Sequence, residues 1–206
     1  MTLKRPKAER MSGIVRAALE EFLAKGYEGS SMESIAARAG LSKGGLYHHF
    51  ASKDEILLYV NEKLSEPVAT FMAKASSRRS ALLGLRSYIR SYLNHWLRRP
   101  QQLVFFFLSM TRVLADKSLW AMWESYAEQT VGALRAVLAK GVAAGEFVPH
   151  DTRARALALM SALDGVAGYL VIDRRLKYAE VCRGLEDVLI GPILKRPARP
   201  GRAGRA

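Results

Sequence analysis

The stretch that decides the fold is residues 30–53, SSMESIAARAGLSKGGLYHHFASK. It has the pattern of two short helices joined by a tight turn and followed by the start of a third helix. Ser31 and Ser42 each stand just before a short helical pattern, where a serine oxygen can accept hydrogen bonds from free backbone N–H groups. Gly40 separates the two helices, because a left-handed residue after a helix is least strained when it is glycine. This layout predicts a helix-turn-helix.

The apolar residues of this stretch fall on one side of each predicted helix. Those expected to point inward are Met32, Ile35, Ala36, Ala39, Leu46 and Phe50. The first helix has an alternative start, since Ser30 and Glu33 also fit a capping box. Both starts leave the same residues on the inner face.

One run within this stretch is more specific than a general helix-turn-helix pattern. It reads Ile35-Ala36-x-x-Ala39-Gly40-Leu41-Ser42-Lys43-Gly44-x-Leu46-Tyr47-x-His49-Phe50-x-x-Lys53. The run resembles the DNA-binding segment of TetR-family transcriptional regulators, and the resemblance covers roughly residues 10–60. It implies an all-α protein with a three-helix helix-turn-helix head and a larger helical body for ligand binding and dimerisation.

The recognition helix is predicted over Lys43–His49. Gly44 and Gly45 are poor helix formers, each costing about 1 kcal/mol relative to alanine. They either soften the start of the helix or allow close approach to DNA. The resemblance includes Gly44 and therefore favours close approach for both glycines.

The polar residues of the head sort by the part of DNA that they can reach. Lys43 and His48 are long enough to reach base edges, and lysine suits the O6 and N7 atoms of guanine. The resemblance implies phosphate contacts, which hold register, from Ser31, Ser42, Tyr47, His49 and Lys53. Arg38 is either a further DNA contact or a solvated surface charge.

The flanks of this stretch complete the predicted domain organisation. A first helix over about Ala8–Lys25 ends at Gly26 and braces the head. Before it, Lys4, Arg5 and Lys7 form a basic arm that either frays or reaches a minor groove. The predicted division is 1–53 for the arm and head, 54–194 for the ligand-binding and dimerisation body, and 195–206 for a disordered basic tail.

The body is predicted to be helical throughout. A helix capped by Ser52 leads out of the head, and a polar break follows over 74–80. Further helices are predicted over 80–98, 101–115, 117–143, 152–173 and 178–193. No segment alternates with a period of two, as a half-buried strand requires, so the fold class is all-α.

Aromatic residues concentrate in the body and have two interpretations. Each one alone fits ordinary core packing, whereas together they suggest an apolar chamber for a small molecule. The candidate ligand-binding residues are Trp96, Phe106, Ser109, Arg112, Trp120, Trp123, Tyr126 and Asp164. Asp164 stands in an apolar stretch, so it lies at an interface margin, bonds a partner within the protein, or contacts a ligand.

The last two predicted helices have broad apolar faces. Periodicity shows only those faces, whereas the resemblance implies that these helices pair with their copies in a dimer. The candidate interface residues are Leu157, Met160, Leu163, Ala167, Leu170, Val181, Leu185, Val188 and Leu189.

Bulk properties restrict the class of protein further. The formal net charge of +13 indicates an anionic partner, but residues 1–55 hold nine basic and seven acidic residues, so charge alone does not locate the DNA site. The single cysteine, Cys182, excludes an intrachain disulfide. The N-terminus lacks the apolar run of a signal peptide, and no eighteen consecutive residues are apolar, which predicts a cytoplasmic protein without a membrane span.

Catalytic and metal-binding patterns were not found in the sequence. We see no nucleophile–base pair at useful spacing and no phosphate-binding glycine loop. His48 and His49 do not face each other on a helix, and no third ligand stands at metal-site spacing. We therefore expect no enzymatic activity, no metal and no cofactor.

The function predicted from the sequence is transcriptional regulation. We expect a homodimer that binds a palindromic operator in double-stranded DNA, acts as a repressor, and is released by a small-molecule effector of unknown identity. The alternative is a dimeric helical small-molecule-binding protein that does not bind specific DNA sequences.

Overall fold

The computed structural model describes the backbone of residues 7–195 and their side chains except those of Lys7, Met122 and Tyr126. Its main helices are α1 Lys7–Lys25, α2 Met32–Arg38, α3 Lys43–Tyr47, α4 Lys53–Ser77, α5 Ala81–Leu97, α6 Pro100–Ala115, α7 Trp120–Ala143, α8 Thr152–Ile172 and α9 Tyr178–Leu185. Over these residues β structure is limited to an isolated bridge between Phe147 and Leu194. The all-α prediction is confirmed. The predicted basic arm before Lys7 and the predicted disordered tail after Lys195 lie outside the described residues, whereas the backbone of Lys7 begins α1.

The chain divides into two compact units. The first unit comprises Met1–Thr70 and Leu93–Glu128, and the second comprises Phe71–Tyr92 and Gln129–Ala206. The first unit therefore adds residues 54–70 and 93–128 to the predicted head. The division at residue 53 separates expected functions rather than compact units, and it stays a prediction.

The core of the first unit gathers the apolar faces of the head helices. Its buried members are Ile14, Ala18, Phe22, Met32, Ile35, Ala36, Leu46, Phe50, Ile56, Leu57, Val60 and Phe105. The inward positions predicted for α2 and α3 are buried, with Ala39 partly so. Phe105 comes from α6 and packs 5.8 Å from the ring of Phe22, a contact between elements far apart in sequence.

Two corners of the head require left-handed backbone. Gly26 after α1 has φ 71°, and Gly40 after α2 has φ 69°. The N–H of Leu41 then reaches back to the carbonyl of Ala36 at 2.9 Å, which satisfies one of the free carbonyls at the helix end. A side chain at either glycine would strain the turn, so the predicted helix stops are confirmed.

In the second unit, the side chain of Glu146 caps a helix that is distant from it in sequence. The carboxylate of Glu146 accepts hydrogen bonds from the backbone N–H groups of Ala81 and Leu82 at 2.8 and 3.0 Å, and from the hydroxyl of Ser80 at 2.6 Å. A negative charge is favourable at this end of a helix because the first N–H groups are otherwise unpaired. The start of α5 is therefore fixed by a residue more than sixty positions away.

Two helix boundaries predicted for the body were wrong. Helix α4 passes through Pro67 and the first part of the expected break to end at Ser77. Helix α9 ends at Leu185 and is followed by a π turn over Glu186–Ile190 and a 3-10 turn over Gly191–Ile193, where one helix to residue 193 was predicted. The proline in the last turn lacks an N–H and cannot continue a regular helix.

Candidate DNA-binding site

The start of α2 is fixed by two serines. The Oγ of Ser31 accepts a hydrogen bond from the N–H of Ser34 at 3.0 Å, and the Oγ of Ser34 accepts one from the N–H of Ser31 at 3.0 Å. The capping box therefore closes with Ser34 and not with Glu33. Ser30 instead donates to the carbonyl of Gly26 at 2.7 Å, so the alternative helix start at Ser30 was wrong.

The recognition helix α3 is shorter than predicted. It spans Lys43–Tyr47, with His48 as its C-terminal cap. The Oγ of Ser42 accepts a hydrogen bond from the N–H of Gly45 at 3.1 Å, which confirms the predicted cap. Leu46 is fully buried beneath the helix and Phe50 anchors its exit. Two glycines near the start weaken helix formation, so tertiary packing must hold these few residues in place.

The outer surface of α3 carries the predicted base-reading side chains. Lys43 and Tyr47 are exposed, with 60% of the Lys43 side chain and 45% of Tyr47 accessible to solvent. His48 is exposed, and its ring meets the half-buried ring of His49 edge-on at 5.4 Å. The ammonium of Lys43 pairs with the carboxylate of Glu33, which raises the pKa of the lysine. An exposed pair of this kind is weak, so the ammonium can exchange Glu33 for an anionic ligand.

The two glycines of α3 differ in their surroundings. A methyl group added at Gly44 would meet no atom of the described residues within 4 Å, whereas one at Gly45 would lie 3.2 Å from the Oγ of Ser42. Packing within the chain therefore does not require glycine at position 44. The prediction that Gly44 allows close approach to DNA stays a prediction.

Lys53, a predicted phosphate contact, is turned into the head. Its ammonium donates to the carbonyls of Tyr27 and Ser30 at 2.6 and 2.8 Å and lies 4.0 Å from the centre of the Tyr27 ring. These contacts tie the start of α4 to the loop between α1 and α2. The structure thus gives Lys53 a role in holding the head that the sequence did not predict.

Arg38, the further candidate, is held by acidic residues of α1. Its Nε donates to the carboxylate of Glu21 at 2.8 Å, and its Nη1 lies 3.6 Å from the carboxylate of Glu20. Glu21 is 1% exposed, and hydrogen bonds from Lys25 first, then from Ser34 and Arg38, lower the pKa of its carboxyl to about 2. Arg38 is thus exposed and at the same time paired, so that it fastens α2 to α1, and its contact with DNA stays a prediction.

Arg112 on α6, predicted to contact an effector, also binds within the head. Its Nε and Nη2 donate to the two oxygens of Asp54, each at 3.1 Å, and Nη2 donates to Asp116 at 2.7 Å. The hydroxyl of Tyr27 donates to Asp54 at 2.5 Å, and the guanidinium lies 4.9 Å from the centre of that ring. These contacts fasten α6 to the start of α4. They give no support to a place for Arg112 in a ligand chamber.

The predicted chamber residues occupy different surroundings. Trp96 and Phe106 are buried with their rings 5.8 Å apart, and Trp123 lies 5.8 Å from Phe106. Ser109 is buried and donates to the carbonyl of Phe105 at 2.9 Å. Trp120 is 41% exposed, so it does not share this buried cluster. The side chain of Tyr126 lies outside the described residues.

Asp164 belongs to the second unit. Its carboxylate accepts a hydrogen bond from the hydroxyl of Tyr92, so the interpretation of a bonded partner within the chain is confirmed. Burial raises the pKa of the carboxyl to about 6, although the bond from Tyr92 opposes that shift. The structure does not bring this residue together with the aromatic cluster in one unit.

Sequence reasoning missed Asn61 on α4. Its side chain is 7% exposed, and within the described part of the chain neither its amide nitrogen nor its amide oxygen has a hydrogen-bond partner. An unpaired buried polar group costs about 1–3 kcal/mol. The signal was available, because a polar residue at position 61 interrupts the inner stripe of Leu57, Val60 and Leu64.

The predicted dimer residues divide by burial. Leu163, Ala167 and Leu170 on α8 are buried within this chain, which gives no support to their place at an interface, and their assignment stays a prediction. The exposed large apolar residues of α8 are Leu157, Tyr169 and Ile172, and Val188 is exposed on the π turn after α9. Met160, Val181, Leu185 and Leu189 are partly buried. The outer face of α8 is therefore rotated from the predicted one.

Helix α8 is unusually apolar for its exposure. An eighteen-residue window within it has a mean hydropathy of 1.5, yet only 28% of that window is buried. Length and composition alone would let such a helix cross a membrane, although core helices of water-soluble proteins pass the same test. Within the described residues, α8 therefore exposes an apolar surface of the kind that often marks an interaction site.

The fold and the site define a helix-turn-helix DNA-binding protein. Residues 14–60 match the family model described as bacterial regulatory proteins, tetR family. These residues form a TetR-family DNA-binding domain, and the chain as a whole is similar to transcriptional regulators of that family.

Known relatives agree with this assignment. The chain is 45% identical over 58 residues to the transcriptional activator FasR of Mycolicibacterium smegmatis, a match to 28% of the chain and 26% of that relative. It is 27% identical over 187 residues to the transcriptional repressor AcnR of Corynebacterium jeikeium, covering 88% of the chain and 89% of the relative. The crystal structure of the TetR-family regulator PfmR of Thermus thermophilus superposes with a TM-score of 0.70 at 26% identity, covering 89% and 99% of the two chains.

Proposed function

We propose that this regulator is a homodimeric repressor that binds a palindromic operator and is released by a small-molecule effector. The observation that carries DNA reading is the outer surface of α3, where Lys43, Tyr47 and His48 are exposed above a buried Leu46. Lys43 and His48 would contact base edges in the major groove. Ser31, Ser42, Tyr47 and His49 would hold the DNA backbone, with Gly44 allowing close approach.

We propose repression rather than activation because the chain matches a repressor over a greater length than it matches an activator. The relative named as a repressor, AcnR, matches along most of both chains, whereas the activator FasR matches over about a quarter of each. We also propose a cytoplasmic location, where such a regulator meets DNA. The relatives are regulators and not enzymes, and we propose no catalytic activity.

The dimer is proposed to form through the outer faces of α8 and α9. Exposed Leu157, Tyr169 and Ile172 would be covered by the same helices of a second copy. Gly165 and Gly184 support this arrangement, because a methyl group added at either would meet no atom of the described chain within 4 Å. Glycine within a helix costs about 1 kcal/mol relative to alanine, and close approach of a partner would explain it. Two-fold symmetry would then place half-sites about 34–36 Å apart.

Release is proposed to follow from linkage between two binding sites. An effector that prefers the head spacing unable to bind the operator would lower operator affinity. The bidentate pair between Arg112 on α6 and Asp54 on α4 is a suitable mechanical connection, because it lets a displacement of α6 act on the start of α4.

The decisive experiment is selection of bound sequences from a random DNA pool with purified protein at physiological salt. A recovered palindrome that is lost on Lys43→Ala with Tyr47→Ala would support the proposal. The matched control is Lys74→Ala with Leu83→Ala, since both residues are exposed and outside the head. Recovery of no motif would favour the alternative, a dimeric small-molecule-binding protein. The internal engagement of Arg38 and Lys53 is the observation that keeps this alternative in view.

A further inference from the structure

The side-chain amide of Asn61, in the first unit, is buried with its hydrogen-bonding groups unsatisfied. Its amide can donate two hydrogen bonds and accept two, and in the described structure both polar atoms are buried without a partner. Asn61 is only 7% exposed, and a leucine of similar size in its place would avoid the free-energy cost of burying an unpaired amide. A partner from outside the chain would supply the missing hydrogen bonds.

The position of Asn61 on α4 lies between two attachments to other helices. Asn61 follows Leu57 by four residues and precedes Leu64 by three, so all three share one side of the helix. Leu57 belongs to the same buried cluster as Phe105 of α6. The backbone of Leu64 lies close enough to the ring of His95 on α5 to oppose the lowering of the His95 pKa by burial. Asn61 therefore stands on the face of α4 that α5 and α6 cover.

Aromatic rings come from those same two helices. Trp96 follows His95 on α5, with their rings 4.9 Å apart, and it lies 5.8 Å from the ring of Phe106 on α6. Phe106 in turn lies 5.8 Å from Trp123. The helices that cover the face of Asn61 thus supply an aromatic cluster. A mostly apolar surround with few polar groups is the composition typical of small-molecule sites.

We propose that Asn61 is the polar anchor of the effector site. The effector is an apolar, preferably aromatic, molecule carrying a neutral group with adjacent donor and acceptor atoms, such as a carboxamide, a lactam or a protonated carboxylic acid. Such a group pairs with both ends of the Asn61 amide at once. An ionised carboxylate would bring a second acceptor towards Oδ1, and an ester would leave Oδ1 without a donor. The assignment rests on the proposed function, in which an effector acts on this protein.

The first test uses the ligand-free protein. If Asn61 serves a ligand, Asn61→Leu raises the melting temperature, because the variant no longer buries an unpaired amide. The matched control is Asn94→Leu on α5, where the amide is exposed and accepts a hydrogen bond from Arg98 at 3.1 Å. The control is expected to leave the melting temperature unchanged or slightly lower. A clear loss of stability in Asn61→Leu would overturn the proposal, since it would show that the amide has a structural partner.

The second test uses three probes that share an aromatic body. They are naphthalene-2-carboxamide, methyl 2-naphthoate and 2-ethylnaphthalene, with binding followed by tryptophan fluorescence and by the shift in melting temperature. Wild-type protein and Asn94→Leu are expected to bind the carboxamide at least tenfold more tightly than the ester. Asn61→Leu is expected to lose that preference while still binding 2-ethylnaphthalene.

Several outcomes would contradict the anchor assignment. Equal binding of the three probes by the wild type, or an unchanged preference in Asn61→Leu, would remove Asn61 from the site. Binding of no probe would overturn the ligand site and leave a buried water as the partner of the amide. Failure of the DNA selection with intact probe binding would contradict the proposed function alone, so the two failures are distinguishable.

Discussion

At the scale of single residues, the acidic side chains Asp164 and Glu21 have opposite pKa shifts. The pKa of Asp164 is raised because burial disfavours its charged form. The pKa of Glu21 is lowered because cations and a hydroxyl bind its charged form. The two residues therefore affect stability in different pH ranges and with different signs.

The raised pKa of Asp164 predicts a gain of stability on neutralisation. The folded carboxyl titrates at about 6 against an ordinary value of 3.8, so the folded state binds more protons and stability falls as pH rises through this window. Asp164→Asn keeps an acceptor for the hydroxyl of Tyr92 and removes the charge. We expect the free energy of unfolding of Asp164→Asn to match that of the wild type near pH 4 and to exceed it at pH 7.5. The difference is at most about 3 kcal/mol, since one pKa unit corresponds to about 1.36 kcal/mol.

Thermal unfolding of both proteins between pH 4 and 8 measures this difference. Asp187→Asn is the matched control, because Asp187 is exposed on the turn after α9. A wild type more stable than Asp164→Asn at pH 7.5 would show that the carboxylate is stabilised by more than Tyr92.

The lowered pKa of Glu21 predicts the reverse pH dependence. Its folded carboxyl titrates at about 2 against an ordinary 4.5, so its contribution is fully present above 4.5 and is lost as pH falls towards 2. Glu21→Gln leaves Lys25 and Arg38 without their buried partner, and we expect a loss of about 1–3 kcal/mol at pH 7.

Chemical denaturation at pH 7 and at pH 3 checks the prediction for Glu21. Glu20→Gln is the control, since the Glu20 side chain is 52% exposed and lies 3.6 Å from Arg38. The difference in free energy of unfolding between wild type and Glu21→Gln is expected to be smaller at pH 3 than at pH 7. A gap that stays constant with pH would mean that the carboxylate charge is not what stabilises α2 against α1.

At the scale of elements, the recognition helix depends on its supports. Five residues with two glycines do not form a stable helix alone, so α3 takes its position from the Ser42 cap and buried Leu46. Lys53 adds a connection between the start of α4 and the loop before α2. The position of α3 therefore rests partly on Leu46 and Lys53, whose side chains pack or bond within the head.

The position of Lys53 predicts a loss of stability without a change in salt dependence. Lys53→Met removes two charge-assisted hydrogen bonds to the carbonyls of Tyr27 and Ser30, and we expect about 1–3 kcal/mol of destabilisation. The slope of operator affinity against salt should stay as in the wild type. Lys74→Met, on the exposed surface of the same helix, should change neither quantity.

Denaturation and operator binding between 50 and 200 mM salt separate the two roles of Lys53. A phosphate contact would reduce the salt slope by about 0.9 for each subunit. That reduction, together with unchanged stability, would restore the role implied by the family resemblance and contradict the structural one.

At the scale of the whole molecule, the single chain leaves an apolar helix largely uncovered. Helix α8 has a mean hydropathy of 1.5 with 28% of the measured window buried, and exposed Leu157 and Ile172 lie on it. This exposure is the physical basis for the proposed dimer, because burying apolar surface stabilises association by roughly 25 cal/mol per Å².

The glycine within α8 provides a specific test of the dimer. Gly165→Leu adds a side chain where the described chain has no atom within 4 Å, and it replaces a poor helix former. We therefore expect the subunit to stay folded while dimer affinity falls at least tenfold. Gly132→Leu on α7, where the added group is equally unhindered, is the matched control. Sedimentation from nanomolar to micromolar concentration measures both, and an unchanged dimer in Gly165→Leu would place the interface elsewhere.

The sequence by itself determined the local features of this protein. Helical periodicity, the caps at Ser31 and Ser42 and the stops at Gly26 and Gly40 depend on neighbours a few residues away, so they could be predicted. The run from Ile35 to Lys53 also identified the family, since these residue types and spacings are specific. What local patterns could not supply was the length of α3 or the end of α9, where packing and turn geometry decide.

Only the tertiary structure decided which polar groups find partners. Arg112 meets Asp54 across 58 positions, Tyr92 meets Asp164 across 72, and Lys53 meets carbonyls 23 and 26 positions away. Periodicity places a charge on a helix face but says nothing about the distant group opposite it. For the same reason the burial of Leu163 within the chain and the unpaired amide of Asn61 were not predicted. Burial and pairing are properties of the folded chain, because they depend on every element packed around a residue.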